Sequence, residues 1–543
     1  MTAIHTTAAP RKLSLKDRYA LMTRGLGWES SYQPMEKAYD QTGLEGIKIH
    51  DWDAWQDPFR LTMDAYWKYQ AEKEKKLYAV LDAFQQNNGH LNISDARYVN
   101  TLKLFFTGIT PAEYNAHRLF AMLGRQFPGT GAAIACQMQA IDELRHVQTQ
   151  VHSISHYNKY FNGLHDHRHM NDRVWYLSVP KSFFEDAISS GPFEQIIAIS
   201  FALEYLLTNL VFMPFMSGAA YNGDMATVTF GFSSQSDEAR HMTLGLECIK
   251  FVLEQDPGNL PIVQAWLDKW FWRGYKVLGL VSMMLDYMLP KKVMSWKEAW
   301  NIYFVQNGGS LFNDLSRYGL RMPKYWEQTL AEAEHLSHQT WNSFYNFSGA
   351  AAFHVWLPNE EDMAWLSEKY PDTFDRLYRP RIEFYREQAA KGERFYNHNL
   401  PMLCQTCQVP LIFTETDDAG AGATSHREGK YLGETYHFCS DGCRDTFDTD
   451  PAKYAQAWLP AHQILQGNCF APGTDPSAPD FDPMAAVFQY YHLQPGADNL
   501  DYDGSPDQAH WQQWKGTEAG AAAPTASAAP ATPAAPASQP AAA

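Results

Sequence analysis

Asp142-Glu143-Leu144-Arg145-His146 returns 95 residues later as Asp237-Glu238-Ala239-Arg240-His241, and each copy follows a lone glutamate, Glu113 in the first case and Glu204 in the second. Residues three apart share a helix face, so Glu143 with His146, and Glu238 with His241, each present a carboxylate and an imidazole to one side. A four-helix bundle that takes one Glu from each of two helices and one Glu-x-x-His from each of the other two builds a carboxylate-bridged site for two iron ions. The expected iron ligands are therefore Glu113, Glu143, His146, Glu204, Glu238 and His241.

The spacing agrees with that geometry. Glu113 and Glu143 are 30 residues apart, and Glu204 and Glu238 are 34 apart. At about 1.5 Å per residue, roughly fifteen residues out and fifteen back bring both ligands to similar heights. Turn signals stand near the middle of each interval, Phe127-Pro128-Gly129-Thr130-Gly131 in the first and Ser217-Gly218 through Asn222-Gly223-Asp224 in the second.

A single Glu-x-x-His pair is usually solvated surface, but here the flanks are apolar, with Phe201-Ala202-Leu203 before Glu204 and Leu206-Leu207 after it. A buried carboxylate needs compensation, and metal coordination supplies it. Asp142 and Asp237 are then placed to accept the other ring N–H of a ligand histidine, with Arg145 and Arg240 neutralising them; the alternative is an ordinary surface ion-pair network. Ile109, one turn before Glu113, and Phe212, two turns after Glu204, are candidates for a substrate pocket, with plain core as the equal alternative.

Far downstream, Cys404-Gln405-Thr406-Cys407 and Cys439-Ser440-Asp441-Gly442-Cys443 supply four thiolates in two close pairs, the arrangement that closes around one structural zinc. Strand-like pieces at 410–414 and 431–438 lie between and beside them. Disulfides fit this chain poorly, because Cys136, Cys248 and Cys469 are scattered and bring the total to an odd 7.

With 44 basic and 61 acidic residues the net charge is −17, which argues against nucleic acid as a partner. No twenty-residue apolar run stands free of polar groups, since Asp286 interrupts 277–289 and Glu204 and Asn209 interrupt 201–216; no membrane span is expected. Residues 1–12 lack a signal peptide's apolar core, so the expected location is cytoplasmic. His165-Asp166-His167-Arg168-His169 reads as a solvated loop. Residues 52–69 and 70–86 read as helical, with Glu72, Lys73, Lys75 and Lys76 on a solvated face. The 17 tryptophans suggest extensive packing against other subunits.

The chain resembles the large hydroxylase subunit of bacterial multicomponent monooxygenases. The resemblance rests on Gly108-Ile109-Thr110-Pro111-Ala112-Glu113-Tyr114-Asn115-Ala116, on both Asp-Glu-x-Arg-His pentapeptides and on Glu204-Tyr205-Leu206-Leu207-Thr208-Asn209, and it covers most of residues 10–500. It implies a mainly α fold: a ferritin-like four-helix di-iron bundle elaborated with extra helices, plus a small zinc-binding, β-containing module that resembles a treble clef. By the same resemblance Thr208 lies beside the oxygen-binding face, and Asn209 supports the site; a backbone hydrogen bond is the alternative role for Thr208. The cysteine module, with Tyr436-His437-Phe438-Cys439, is similar to that of phenol hydroxylases and toluene 2-monooxygenases. That likeness implies hydroxylation of phenol and related aromatics to catechol, using dioxygen and NADH-derived electrons.

No flavin, nicotinamide or ferredoxin-type signature appears, so electrons must come from another protein. The resemblance implies hydroxylase beta and gamma subunits, a small effector protein and a reductase carrying flavin and an iron–sulfur cluster. Expected divisions are 1–94 (arm and helices), 95–395 (di-iron core), 396–465 (zinc module), 466–515 (extension) and 516–543 (a disordered Ala/Pro-rich tail). Competing readings are a toluene or alkene monooxygenase of the same family, another di-iron enzyme such as a desaturase, and a ferritin-like protein without oxygenase activity.

Overall fold

The computed structural model describes residues 46–391 with short breaks, 403–411 and most of 426–462, besides Tyr32 and part of 475–481. The segment 165–169, Cys469, the N-terminal arm and the 516–543 tail lie outside the described residues.

Four long helices form the centre: α2 (Ala96–Gln126), α3 (Thr130–Tyr157), α5 (Pro192–Tyr221) and α6 (Met225–Gln255). Helix α2 packs along α3, and α6 along α5. Asp95 caps α2 by accepting from the Arg97 amide, and Asp224 caps α6 by accepting from the Thr227 amide. Asp224 also accepts from the hydroxyls of Tyr98 on α2 (2.8 Å) and Tyr157 on α3 (2.5 Å), which ties the turn of the second hairpin to both open ends of the first. The second turn is tighter than expected. Ser217 and Gly218 stay helical, and only 222–224 turn, with Gly223 at φ +86° where a side chain would be strained.

Around this centre run α1 (Met63–Gln86), α4 (Ser178–Ile188), α7 (Leu260–Met283, continuing as the π-helical turn Met284–Met288), α8 (296–315), α9 (Trp326–Phe347), α10 (Glu360–Lys369) and α11 (374–390). The expected helix over 52–69 is shorter: Trp52–Ala54 form one 3₁₀ turn and α1 begins at Met63. Helix α5 is long and apolar enough to cross a membrane by composition, but 72% of that window is buried inside the protein, the environment of a core helix. Trp270, Trp272, Trp296 and Trp341 are wholly buried within this one chain, so those tryptophans pack internally rather than against other subunits.

Two helix irregularities fall on the lone-glutamate helices. Pro111, inside α2, removes one backbone donor two residues before Glu113, and residues Ile197–Thr208 of α5 are π-helical around Glu204. The Glu-x-x-His helices α3 and α6 are α-helical through their motifs. That division is physically sensible, because an i,i+3 pair needs regular winding to share a face, whereas a lone ligand needs only to be aimed. Gly245, one turn after His241, lets α6 press on the π segment: a Cβ there would stand 2.5 Å from the Ser200 backbone carbon.

The cysteine module consists of a knuckle at 403–411, a two-stranded antiparallel sheet of β1 (Arg427–Tyr431) and β2 (Glu434–Phe438), then α12 (Asp441–Thr449) and α13 (Pro451–Ala455). The single strand expected over 431–438 is instead the end of β1, a two-residue turn and β2. Leu432 and Gly433, at φ +50° and +88°, make that turn of the kind that matches strand twist. Pro410 pairs with Leu403 as an isolated bridge, while 412–414 lie outside the described residues. The module's interior is continuous with the helical core. Gly442 approaches so closely that a Cβ would meet the Trp272 indole at 2.5 Å. The buried Arg273 of α7 donates to the Thr406 carbonyl (2.7 Å), to the Ser182 carbonyl (2.7 Å) and to Asp186 (3.1 Å).

Candidate metal centre and cavity

The six sequence-selected ligands converge. Glu113 comes from α2, Glu143 and His146 from α3, Glu204 from the π segment of α5, and Glu238 and His241 from α6, all of them buried. Their ligand atoms form two sets that share Glu143: Glu113, Glu143, His146 and Glu238 in one, Glu143, Glu204 and His241 in the other, with all atoms of a set within 4.8 Å of one another. His146 Nδ1 lies 3.2 Å from Glu113 and 3.6 Å from Glu238. His241 Nδ1 lies 3.3 Å from both Glu143 and Glu238.

The other nitrogen of each imidazole meets an aspartate, and the pairing crosses between the repeats. His146 Nε2 is 3.2 Å from Asp237, and His241 Nε2 is 3.3 Å from Asp142. Arg145 donates to Asp142 (3.1 Å) and to Asp237 (3.3 Å), and Arg240 pairs with Asp142. Asn209 accepts from Gln235 (2.8 Å), three residues before Glu238. Thr208 lines the cavity described below while its hydroxyl donates to the Leu203 carbonyl (3.3 Å), five residues back, as π winding allows.

Several polar partners escaped the sequence reading. Tyr66 donates to Asp142 (2.5 Å), Gln70 donates to both Asp142 and Asp237 (2.8 Å each), and Lys73 pairs with Asp237 (2.5 Å). Lys73 therefore does not belong to the solvated face of α1, on which Glu72, Lys75 and Lys76 do lie exposed. The signal was present as Tyr66, Gln70, Lys73 and Leu77, a stripe at helical spacing in which polar groups occupy inward positions. Gln139, four residues before Glu143, donates to Glu143 (3.2 Å) and to Glu204 (3.0 Å), and its carbonyl is fixed by the Ser200 hydroxyl (3.1 Å). A buried amide one turn before a ligand has no special sequence mark.

Electrostatics test whether metal suits these residues. Burial pushes Glu113 up well above the usual carboxylate range; burial, then the neighbouring Glu238, does the same to Glu204. Against its own burial, Glu143 is held down to about 2, chiefly by His241 and His146. Both histidines are raised despite burial, His146 chiefly by Glu113 and His241 by Glu143. Four carboxylates thus crowd two imidazoles in a dry interior, a deficit of positive charge that two divalent cations balance.

The carboxylates close one end of an apolar cavity of about 170 Å³. Its walls include Phe105, Ile109, Phe184, Leu207, Phe212 and Met284, so both pocket candidates, Ile109 and Phe212, face it. A dry apolar cavity of roughly 150 Å³ is large enough for benzene.

At the far side of α7 the four cysteine sulfurs also lie within 4.8 Å of one another, all buried. Cys439 stands 3.6 Å from Cys407 and from Cys443, close to the edge of about 3.8 Å for a tetrahedron with zinc–sulfur bonds of about 2.3 Å. Gln408, at φ +62°, bends the first knuckle, and Ser440 caps α12 by accepting from the Cys443 amide (3.2 Å).

A mainly helical bundle with this paired carboxylate–imidazole constellation beside an apolar cavity is the architecture of the carboxylate-bridged di-iron hydroxylases. A family model described as Methane/Phenol/Alkene Hydroxylase matches residues 28–256, and a YHS domain model matches residues 423–458. The chain is 63% identical over 514 residues to the phenol 2-monooxygenase oxygenase component DmpN of Pseudomonas sp. (strain CF600), covering 95% of this chain and 97% of that protein. It is 27% identical over 463 residues to the alkene monooxygenase oxygenase component subunit alpha of Xanthobacter autotrophicus, covering 81% and 88%. The crystal structure of xenon-pressurized phenol hydroxylase from Pseudomonas sp. OX1 superposes with a TM-score of 0.80 at 63% identity, covering 92% of this chain and all of that one. The chain belongs to the methane, phenol and alkene hydroxylase family, and is the oxygenase component of a multicomponent monooxygenase.

Proposed function

We propose that this chain is the catalytic large subunit of a phenol 2-monooxygenase, inserting one atom of dioxygen into phenol or a related single-ring arene to give a catechol. The observation that carries the reading is the 170 Å³ apolar cavity whose one polar end is formed by Glu113, Glu143, Glu204 and Glu238. The 63% identity to a phenol 2-monooxygenase component supports the choice of substrate. In this reading Glu113, Glu143, His146, Glu204, Glu238 and His241 hold two irons, and Cys404, Cys407, Cys439 and Cys443 hold one structural zinc. When bound, the iron pair supplies two-electron reduction of dioxygen and oxygen-atom transfer.

The protein's own residues do the rest. Phe105, Phe184 and Phe212 offer aromatic faces against which a ring packs, and Ile109 and Leu207 add apolar wall. Asp142 and Asp237 hold the two imidazoles with Nδ1 turned toward the glutamates. Gln139 fixes the Glu204 carboxylate by donating to it. Thr208, on the cavity wall, is the residue placed to hand a proton across it. Electrons come from NADH through a flavin and iron–sulfur reductase, with beta and gamma subunits and a small effector completing the system. The divisions at 94, 395, 465 and 515 remain our proposed boundaries of sequence, although the cysteine module shares its interior with the core.

Product analysis tests this. The oxygenase reconstituted with reductase and effector, given phenol and ¹⁸O-labelled dioxygen, is expected to release catechol carrying one labelled oxygen. Catechol carrying no labelled oxygen, or iron oxidation without product, would overturn the assignment.

A further inference from the structure

A further set of metal-compatible side chains lies beyond the catalytic centre, on helices α1 and α3. His152 and His156 are four residues apart, and their Nε2 atoms approach to 3.0 Å. Asp82, from α1, places Oδ1 3.8 Å from His152 Nε2. All three ligand atoms lie within 4.8 Å of one another, at the edge of the protein, where the Asp82 side chain is 53% exposed. We propose that Asp82, His152 and His156 form a solvent-open site for a divalent transition ion such as zinc or copper, bridging α1 to α3.

Donor chemistry sets the ion class. Two imidazoles and one carboxylate favour zinc, copper(II) or nickel(II) over magnesium or calcium, and three protein ligands leave a position for water. The first ligand is already oriented: Tyr78 meets the His152 ring edge-on at 4.9 Å, and His156 meets it at 4.5 Å and 74°. A neighbouring cation opposes binding. Lys159 Nζ stands 3.0 Å from His156 Nδ1. An ammonium donating there leaves the ring proton on Nε2, pointing at His152, so a metal must shift that proton to Nδ1 and turn the lysine away. Lys159 sits just past the end of α3, at Tyr157, and is only partly buried, so its chain has room to turn.

Such an ion would act on a helix that matters. Helix α1 delivers Tyr66, Gln70 and Lys73 to the aspartates behind His146 and His241, and Asp82 lies on its last turns. Tying Asp82 to α3 would pin α1 against the metal centre.

The test uses the assembled oxygenase with its catalytic and cysteine sites already filled, titrated with copper(II) and followed by electron paramagnetic resonance. One further equivalent per chain is expected, with hyperfine structure from two nitrogens. Asp82→Asn, an exposed change that leaves packing intact, should weaken that binding at least tenfold; His152→Gln with His156→Gln should abolish it; Lys159→Ala should tighten it. No copper beyond the filled sites, or an unchanged spectrum and stoichiometry in the double variant, would overturn the proposal.

Discussion

Crossed pairing makes individual residues around the metal centre unequal in an instructive way. Glu143 belongs to both ligand sets, and His241 touches Glu143 and Glu238 while leaning on Asp142. Glu143→Ala or His241→Ala is expected to abolish hydroxylation while zinc content stays at one per chain; zinc lost with iron in these variants would show that the two sites are not independent. Gln139 lies one layer out. Its amide reaches two carboxylates at once, so Gln139→Leu leaves both short of a donor. Loss of such an outer partner typically costs about 10–100-fold in metal affinity. Iron retained after dialysis against a mild chelator is the measurement, and retention equal to the parent protein would refute the role.

Elements differ in how much of them could be read from the chain. The four bundle helices were legible because Glu-x-x-His at two places, with apolar flanks and turn residues midway, satisfies winding, burial and chemistry together. The hairpin of the cysteine module reads from sequence as one strand, because Leu432 occupies a left-handed turn position where asparagine or glycine is the usual mark. Lys73 reads as solvated because all five residues of 72–76 are charged, and charge alone does not tell which of them turns inward. The π winding around Glu204 has no local signature, and α6 presses on that segment through Gly245. Glycines make that pressure measurable. Gly245→Ala forces α6 off the Ser200 backbone and should destabilise by about 1–3 kcal/mol. Gly309, inside α8, has nothing within 4 Å of a Cβ, so Gly309→Ala should stabilise by about 0.5–1 kcal/mol. Thermal unfolding of the pair checks the opposite signs.

At the scale of the whole molecule, the cysteine module and the helical core are joined by buried charge. Arg273 links the Cys404–Cys407 knuckle to α4, and Lys453 and Tyr454 of α13 reach the same Asp186, at 2.7 and 2.8 Å. Stripping zinc is therefore expected to lower the melting temperature of the entire chain in one calorimetric transition; two separate transitions would show a module that unfolds by itself. Acid sensitivity has a source in the same core. His90 is buried among Phe84, Tyr157 and Tyr160, with neither ring nitrogen bonded among the described residues, and burial pushes it down to about 4. The fold holds the neutral ring, so stability is complete above the ordinary value of about 6.5 and falls as pH drops from there to about 4, by up to roughly 3 kcal/mol. His90→Phe should flatten the unfolding free energy over that window, and an unchanged pH slope would count against it. The exchange of aspartates between the two pentapeptides carries an evolutionary reading. Each half borrows the anchor of its imidazole from the other, so decay of either copy would strip support from both, and the paired centre can only be inherited or forfeited entire.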